Sequence, residues 1–112
     1  MFARLRQTAF FSGLLAVFSC GAVATAAPLS DAEFKTMVER FCLDCHNADE
    51  KAGNLNLDVI LKADIRSNSV SWEKVVRTVE GRQMPPVDSP RPDMAGYDAL
   101  SHYLVTRLDA AA

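Results

Sequence analysis

The sequence predicts a small all-α domain, and three observations carry that expectation. Three stretches repeat apolar residues at helical spacing, each behind a side chain suited to cap it. A C-x-x-C-H run closes the first stretch, where one helical turn would bring both cysteines to one face. The 112 residues, less an expected leader of 26, leave 86, enough for a single small core.

Residues 1–26 read as a secretory signal. Arg4 and Arg6 make a positive start, Ala9 to Val23 is almost unbroken apolar and small residues, and Ala24-Thr25-Ala26 supplies an A-x-A cleavage site. A retained anchor is disfavoured, because the apolar run is short for a span and ends in small residues. Val17-Phe18-Ser19-Cys20 resembles a lipobox, which would leave Cys20 as a lipidated start, but Phe18 fits it poorly. Arg4-Leu5-Arg6 is not a twin-arginine pair, so general secretion is the expected route for residues 27–112.

Ser30-Asp31-Ala32-Glu33 is a capping box, with Ser30 at the N-cap and Glu33 at N3. Phe34, Met37, Val38 and Phe41 follow at i, i+3, i+4 and i+7, so the first helix is expected from Asp31 into the cysteine motif. Met37 is read as core rather than as a ligand. Phe41 is expected against a packed helix or the edge of a bound group.

Cys42-Leu43-Asp44-Cys45-His46 reads as a c-type haem attachment site. Both thiols can reach the two vinyl groups of one porphyrin edge, and His46 can then swing under the iron as the proximal ligand. Three other uses fit these residues less well. A redox dithiol usually accompanies a βαβ pattern, which this chain lacks. A zinc site would find only one further histidine and no further cysteine in residues 27–112, and the adjacent Cys45 and His46 would chelate one ion awkwardly. A disulfide between Cys42 and Cys45 is the structural alternative in an oxidising compartment. Haem attachment uses all three groups and is favoured. It agrees with export, since thioether attachment takes place outside the bacterial cytoplasm.

The polar stretch Asn47 to Asn56 is expected to fold as a loop over one haem face, with Leu55 and Leu57 turned inward. A weakly signalled helical piece follows over Val59 to Lys62, then a polar loop over Asp64 to Val70. Ser71 is expected to cap a second long helix that buries Trp72, Val75, Val76 and Val79 and ends with Gly81 at C′. Trp72 is read first as a core anchor, with an indole N–H to a haem propionate as the alternative.

Gly81-Arg82-Gln83-Met84-Pro85-Pro86 offers a second iron ligand. Met84 lies 38 residues after His46 on a loop that two prolines rigidify, and a methionine thioether is a usual partner to histidine in cytochromes c. Met94 is the competitor, and is read as core filler at the start of the last helix. Arg82 is either a propionate partner or a solvated arginine. The last helix is expected from Met94 to Leu108 behind an Asp93 N-cap, burying Tyr97, Leu100, Leu104 and Leu108 with Tyr103 flanking. His102 falls about 200° round that helix from Leu100 and is expected in solvent, not on iron.

Phe41-Cys42-Leu43-Asp44-Cys45-His46, Gly53-Asn54-Leu55-Asn56-Leu57-Asp58, Trp72-Glu73-Lys74-Val75-Val76 and Gly81 with Met84-Pro85-Pro86 together resemble the planctomycete-type cytochrome c domain. The likeness runs through nearly all of residues 27–112. Two departures are plain: Asn54 stands where a second glycine is often found, and Arg82 and Gln83 separate Gly81 from Met84. The resemblance implies a small class I cytochrome c-like fold wrapped round one covalent haem c. Its first and last helices would cross near the haem, with Cys42 and Cys45 as thioether positions, His46 as proximal ligand and Met84 as distal ligand.

An iron with both axial positions filled has no open site, so the expected role is a periplasmic one-electron carrier rather than an enzyme. Two alternatives stay open. Without Met84 the five-coordinate iron would bind small ligands, as a sensor or peroxidase does. The chain could also serve as a dedicated haem subunit of a larger oxidoreductase. Loss of Arg4 and Arg6 takes the basic residues from 12 to 10 against 14 acidic ones, about −4. That balance argues against nucleic acid or anionic lipid and permits docking on a basic patch of another redox protein. No stable membrane insertion is expected once the signal is removed.

Overall fold

The computed structural model describes residues 19–22 and 27–112. The expected signal therefore lies outside the described residues except for 19–22, which have no regular structure and leave Cys20 exposed. Four α-helices follow: α1 (Asp31–Phe41), α2 (Leu57–Ile60), α3 (Ser69–Glu80) and α4 (Met94–Ala111). Two 3₁₀ turns, Ala52–Asn54 and Ile65–Asn68, precede α2 and α3. Among the described residues there is no strand, and no helix is long and apolar enough to cross a membrane.

α1 starts as its capping box dictates. Ser30 Oγ accepts from the Glu33 N–H at 3.2 Å, and Glu33 returns a carboxylate to the Ser30 N–H at 2.7 Å. The Ser30 backbone and hydroxyl bonds hold the Glu33 carboxyl below its ordinary value of 4.5. The helix buries Phe34 and Val38, with Met37 half-buried beside them. Phe41 is half-buried, with the Arg40 guanidinium 5.0 Å from its ring centre.

α1 and α4 pass in opposite senses. The Tyr103 hydroxyl donates to Asp31 Oδ1 at 2.8 Å, Arg107 pairs with the same carboxylate, and the Phe34 ring stacks on Tyr103 at 4.2 Å. Further along, Met37 meets Gly96, where a Cβ would lie 3.6 Å from the Met37 methyl and 3.0 Å from the Asp93 cap. Glycine at 96 permits this close approach. Tyr103, then Arg107, hold the Asp31 carboxyl below its ordinary 3.8, while burial and the Asp31 bond push the Tyr103 hydroxyl up.

The core joins these helices to α2 and α3 through Phe34, Val38, Leu57, Ile60, Trp72, Val76, Val79, Tyr97, Leu100 and Leu104. Trp72 is 2% exposed and lies 5.7 Å from the Phe34 ring, so it is the core anchor that the sequence leads one to expect. α4 begins at the expected Met94, capped by Asp93 Oδ1 accepting from the Gly96 N–H at 2.7 Å, and runs three residues past Leu108. Its far end is held by Arg66, whose Nε donates to the Ala111 carbonyl at 3.0 Å.

Three expectations are corrected. α3 begins at Ser69 rather than behind Ser71. Asp64 Oδ1 accepts from the Arg66 N–H at 2.7 Å, and the resulting 3₁₀ turn leads straight into the helix, so Ser71 lies within α3. At its other end the left-handed residue is Arg82 (φ 55°), while Gly81 stays at φ −74°. Met94 is 66% exposed and fills no core, because the first turn of α4 turns it outward.

Candidate functional site

The C-x-x-C-H turn continues directly from α1. Cys42 caps the helix through its N–H to the Val38 carbonyl, and its own carbonyl accepts from Cys45 at 3.3 Å and His46 at 3.1 Å. Cys42, Cys45 and His46 are thus gathered on one turn, as the spacing requires. Both cysteines are free thiols. Burial, then the neighbouring Cys45, pushes the Cys42 thiol up to about 11, whereas Cys45 is exposed. Among the described residues no three His, Cys, Asp or Glu side chains converge into a metal cluster.

The following loop folds back and binds this turn at three points. Ala52 N–H donates to the Cys45 carbonyl at 2.9 Å and Leu57 N–H to the His46 carbonyl at 2.8 Å. The third bond is the decisive one: His46 Nδ1 lies 2.8 Å from the Ala52 carbonyl oxygen. A carbonyl only accepts, so Nδ1 must carry the proton, and a neutral His46 leaves Nε2 bare. An imidazole oriented through one nitrogen with the other free is in the form that iron binds.

Two residues that make this arrangement were not singled out by the sequence. Asn47 uses all its amide capacity on the motif loop. Its Nδ2 donates to the Leu43 and Asp44 carbonyls at 2.8 and 3.0 Å, and its Oδ1 accepts from the Asp49 and Glu50 N–H groups at 2.9 Å each. Asparagine after a tight turn is the available signal, since its side chain readily bonds nearby backbone. Ala52 acts through its carbonyl, a role that leaves no mark on residue type.

Backbone geometry brings that carbonyl to His46. Lys51, Gly53 and Asn54 take φ of 43°, 62° and 58°, all left-handed. Each non-glycine residue there costs roughly 1–2 kcal/mol, least for asparagine, whose short polar side chain suits the region. Asn54 therefore does conformationally what a second glycine would do. Leu57 is buried and Leu55 half-buried against the core, both inward as expected. Asn56 Oδ1 between them is buried without a hydrogen-bond partner. An orphaned amide beside the His46 segment suits a bound group with a polar edge, since an amide can be flipped to donate to a carboxylate.

Met84 stands on a separate turn at the end of α3, 39% exposed, and no hydrogen bond among the described residues joins that turn to the His46 segment. Its N–H donates to the Thr78 carbonyl at 3.3 Å. Arg82 is half-buried and already has partners on α4. Its guanidinium lies 4.2 Å from the Tyr97 ring centre and pairs with Asp98 at 3.0 Å. His102 is exposed, as expected. A groove of about 370 Å³ lined by Phe34, Ile60, Trp72 and Tyr103 opens at the Asp31 end of α1, the end opposite the cysteine turn.

A helical domain that presents two free thiols and an oriented histidine on one turn has the donor set that a covalently attached haem requires. Residues 42–88 match the family model described as Planctomycete cytochrome C, from Cys42 to just beyond Pro86. That match supports a cytochrome c-like domain within the chain. No curated protein and no solved structure matches it.

Proposed function

We propose that the protein is an exported one-electron carrier holding a single covalent haem c. Cys42 and Cys45 would supply the thioethers, His46 Nε2 the proximal ligand and Met84 the distal one. The observation that carries this reading is the His46 Nδ1–Ala52 contact, which fixes the tautomer and aims the free nitrogen before any iron is bound. When bound, the haem supplies a reversible ferric–ferrous couple, which a methionine ligand and exclusion of water shift towards the ferrous state. The chain's part is to hold: Asn47 and Ala52 fix the cysteine turn, and Pro85, itself buried, keeps the Met84 turn from running on as helix. No residue needs to move a proton in such a transfer.

The expected leader supports work in the periplasm, and an acidic surface supports a redox partner that docks through a basic patch. Production with a c-type maturation system tests the reading. The expected result is a chain shortened by 26 residues and heavier by one haem that survives denaturation, with attachment lost in the doubly substituted Cys42→Ala, Cys45→Ala variant. A full-length chain, or haem released by denaturant, would contradict it.

A further inference from the structure

We infer that Arg91, acting with Arg82 and Tyr97, is the device that positions Met84. The inference rests on the reading of Met84 as the distal iron ligand. The turn that carries Met84 is tied on one side to the end of α3. Arg82 N–H donates to the Val79 carbonyl at 3.0 Å, and Gln83 and Met84 N–H groups both reach the Thr78 carbonyl, at 2.9 and 3.3 Å. These bonds close the turn with Arg82 in the left-handed region, where an L-residue is held only if its surroundings compensate.

The compensation comes from α4 and the loop before it. Arg91, half-buried between Pro90 and the buried Pro92, donates Nε to the Tyr97 hydroxyl at 2.8 Å and a terminal nitrogen to the Arg82 carbonyl at 2.7 Å. The Arg82 guanidinium packs on the same Tyr97 ring and reaches Asp98. One arginine thus holds the backbone two residues before Met84, and the other anchors its side chain on the buried face of α4. The pair also accounts for the insertion of Arg82 and Gln83 between Gly81 and Met84. The added length is taken up by a left-handed residue that Arg91 fastens to Tyr97. A guanidinium is suited to the task because two separate nitrogens of its rigid fork reach the hydroxyl and the carbonyl, where a lysine offers a single nitrogen on a flexible stem.

The test compares the holoprotein with Arg91→Ala, Arg91→Lys, Tyr97→Phe, Met84→Ala and, as a destabilised control far from the turn, Phe34→Leu. The readouts are the far-red ferric iron–sulfur band, the rate of carbon monoxide binding to ferrous protein and hydrogen exchange of the Met84 amide. Arg91→Ala should weaken the band, speed carbon monoxide binding at least about tenfold, as loss of hydrogen bonds from a charged donor implies, and speed exchange at Met84. Tyr97→Phe keeps the ring and should give a smaller change in the same direction, while Arg91→Lys should not restore the band. Phe34→Leu should lower the melting temperature and leave all three readouts alone. If Arg91→Ala keeps the band and the carbon monoxide rate while Met84→Ala loses the band, the positioning role is overturned and the ligand reading survives. If Met84→Ala itself keeps the band, both are overturned. Should Arg91→Ala fail to fold, Tyr97→Phe decides, and unchanged readouts in it overturn the proposal.

Discussion

Phe34 is where the first helix meets the rest of the fold, and replacing it by leucine measures that junction. Its ring stacks on Tyr103 of α4 at 4.2 Å and tilts against Trp72 of α3 at 5.7 Å, with 7% of the residue exposed. Leucine keeps the site apolar but removes both ring contacts. Each aromatic pair contributes roughly 0.5–1.5 kcal/mol beyond area burial, so Phe34→Leu should cost about 2 kcal/mol. In a domain of this size that lowers the melting temperature by roughly 8–16 °C. The assay is thermal unfolding of the exported protein by circular dichroism. Lys35→Ala, next in sequence but exposed and engaged only in a pair with Glu39 at 3.7 Å, serves as control and should cost less than about 0.5 kcal/mol. Equal melting temperatures for the two variants would refute the packing of α1 on α3 and α4.

In the chain produced without haem, alkylation near pH 8 should label exposed Cys45 well before Cys42, whose thiol is pushed up to about 11; mass spectrometry of the peptides reads the order, and faster Cys42 labelling would count against its burial. Asn54→Gly should leave the loop intact and stabilise slightly, whereas Asn54→Val, with a branched side chain at φ 58°, should cost at least about 1 kcal/mol, as chemical denaturation would show. Asp31 and Glu33 have lowered folded pKa values, so their stabilisation is complete above 4.5 and is lost as pH falls through the folded values. Tyr103 has a raised value, so its contribution is present below pH 10.0 and fades above it; Asp31→Asn should flatten the acid limb of a melting-temperature profile, and an unchanged limb would exclude Asp31 as its source.

Local chemistry was legible where one side chain decides the outcome. The Ser30–Glu33 box and the Asp93 cap start α1 and α4 at the residues the sequence indicates, and the 3.6-residue stripes pick out Phe34, Val38, Trp72, Val76, Tyr97, Leu100 and Leu104 as core. The cysteine motif declares its own geometry, because three ligating groups in five residues leave few alternatives. Backbone roles were not legible. The Ala52 carbonyl that orients His46 could belong to any residue, and only the fold of the loop brings it there. The start of α3 depends on the Asp64 turn, which competes with the cap that Ser71 is suited to make by type. Arg82 in a left-handed turn runs against residue preference and is explained only by Tyr97, Asp98 and Arg91, partners 9–16 residues away. Long-range contacts of that kind leave no periodic signal.

The central claim is that His46 and Met84 together close both axial positions of one haem. The most direct measurement is the absorption spectrum of the exported protein, ferric and ferrous, before and after carbon monoxide. The account predicts a c-type spectrum, a far-red iron–sulfur band in the ferric state and no prompt response to carbon monoxide, with the band lost in Met84→Ala and kept in Met94→Ala. Prompt carbon monoxide binding by the unaltered protein, or a band that survives Met84→Ala, would contradict it.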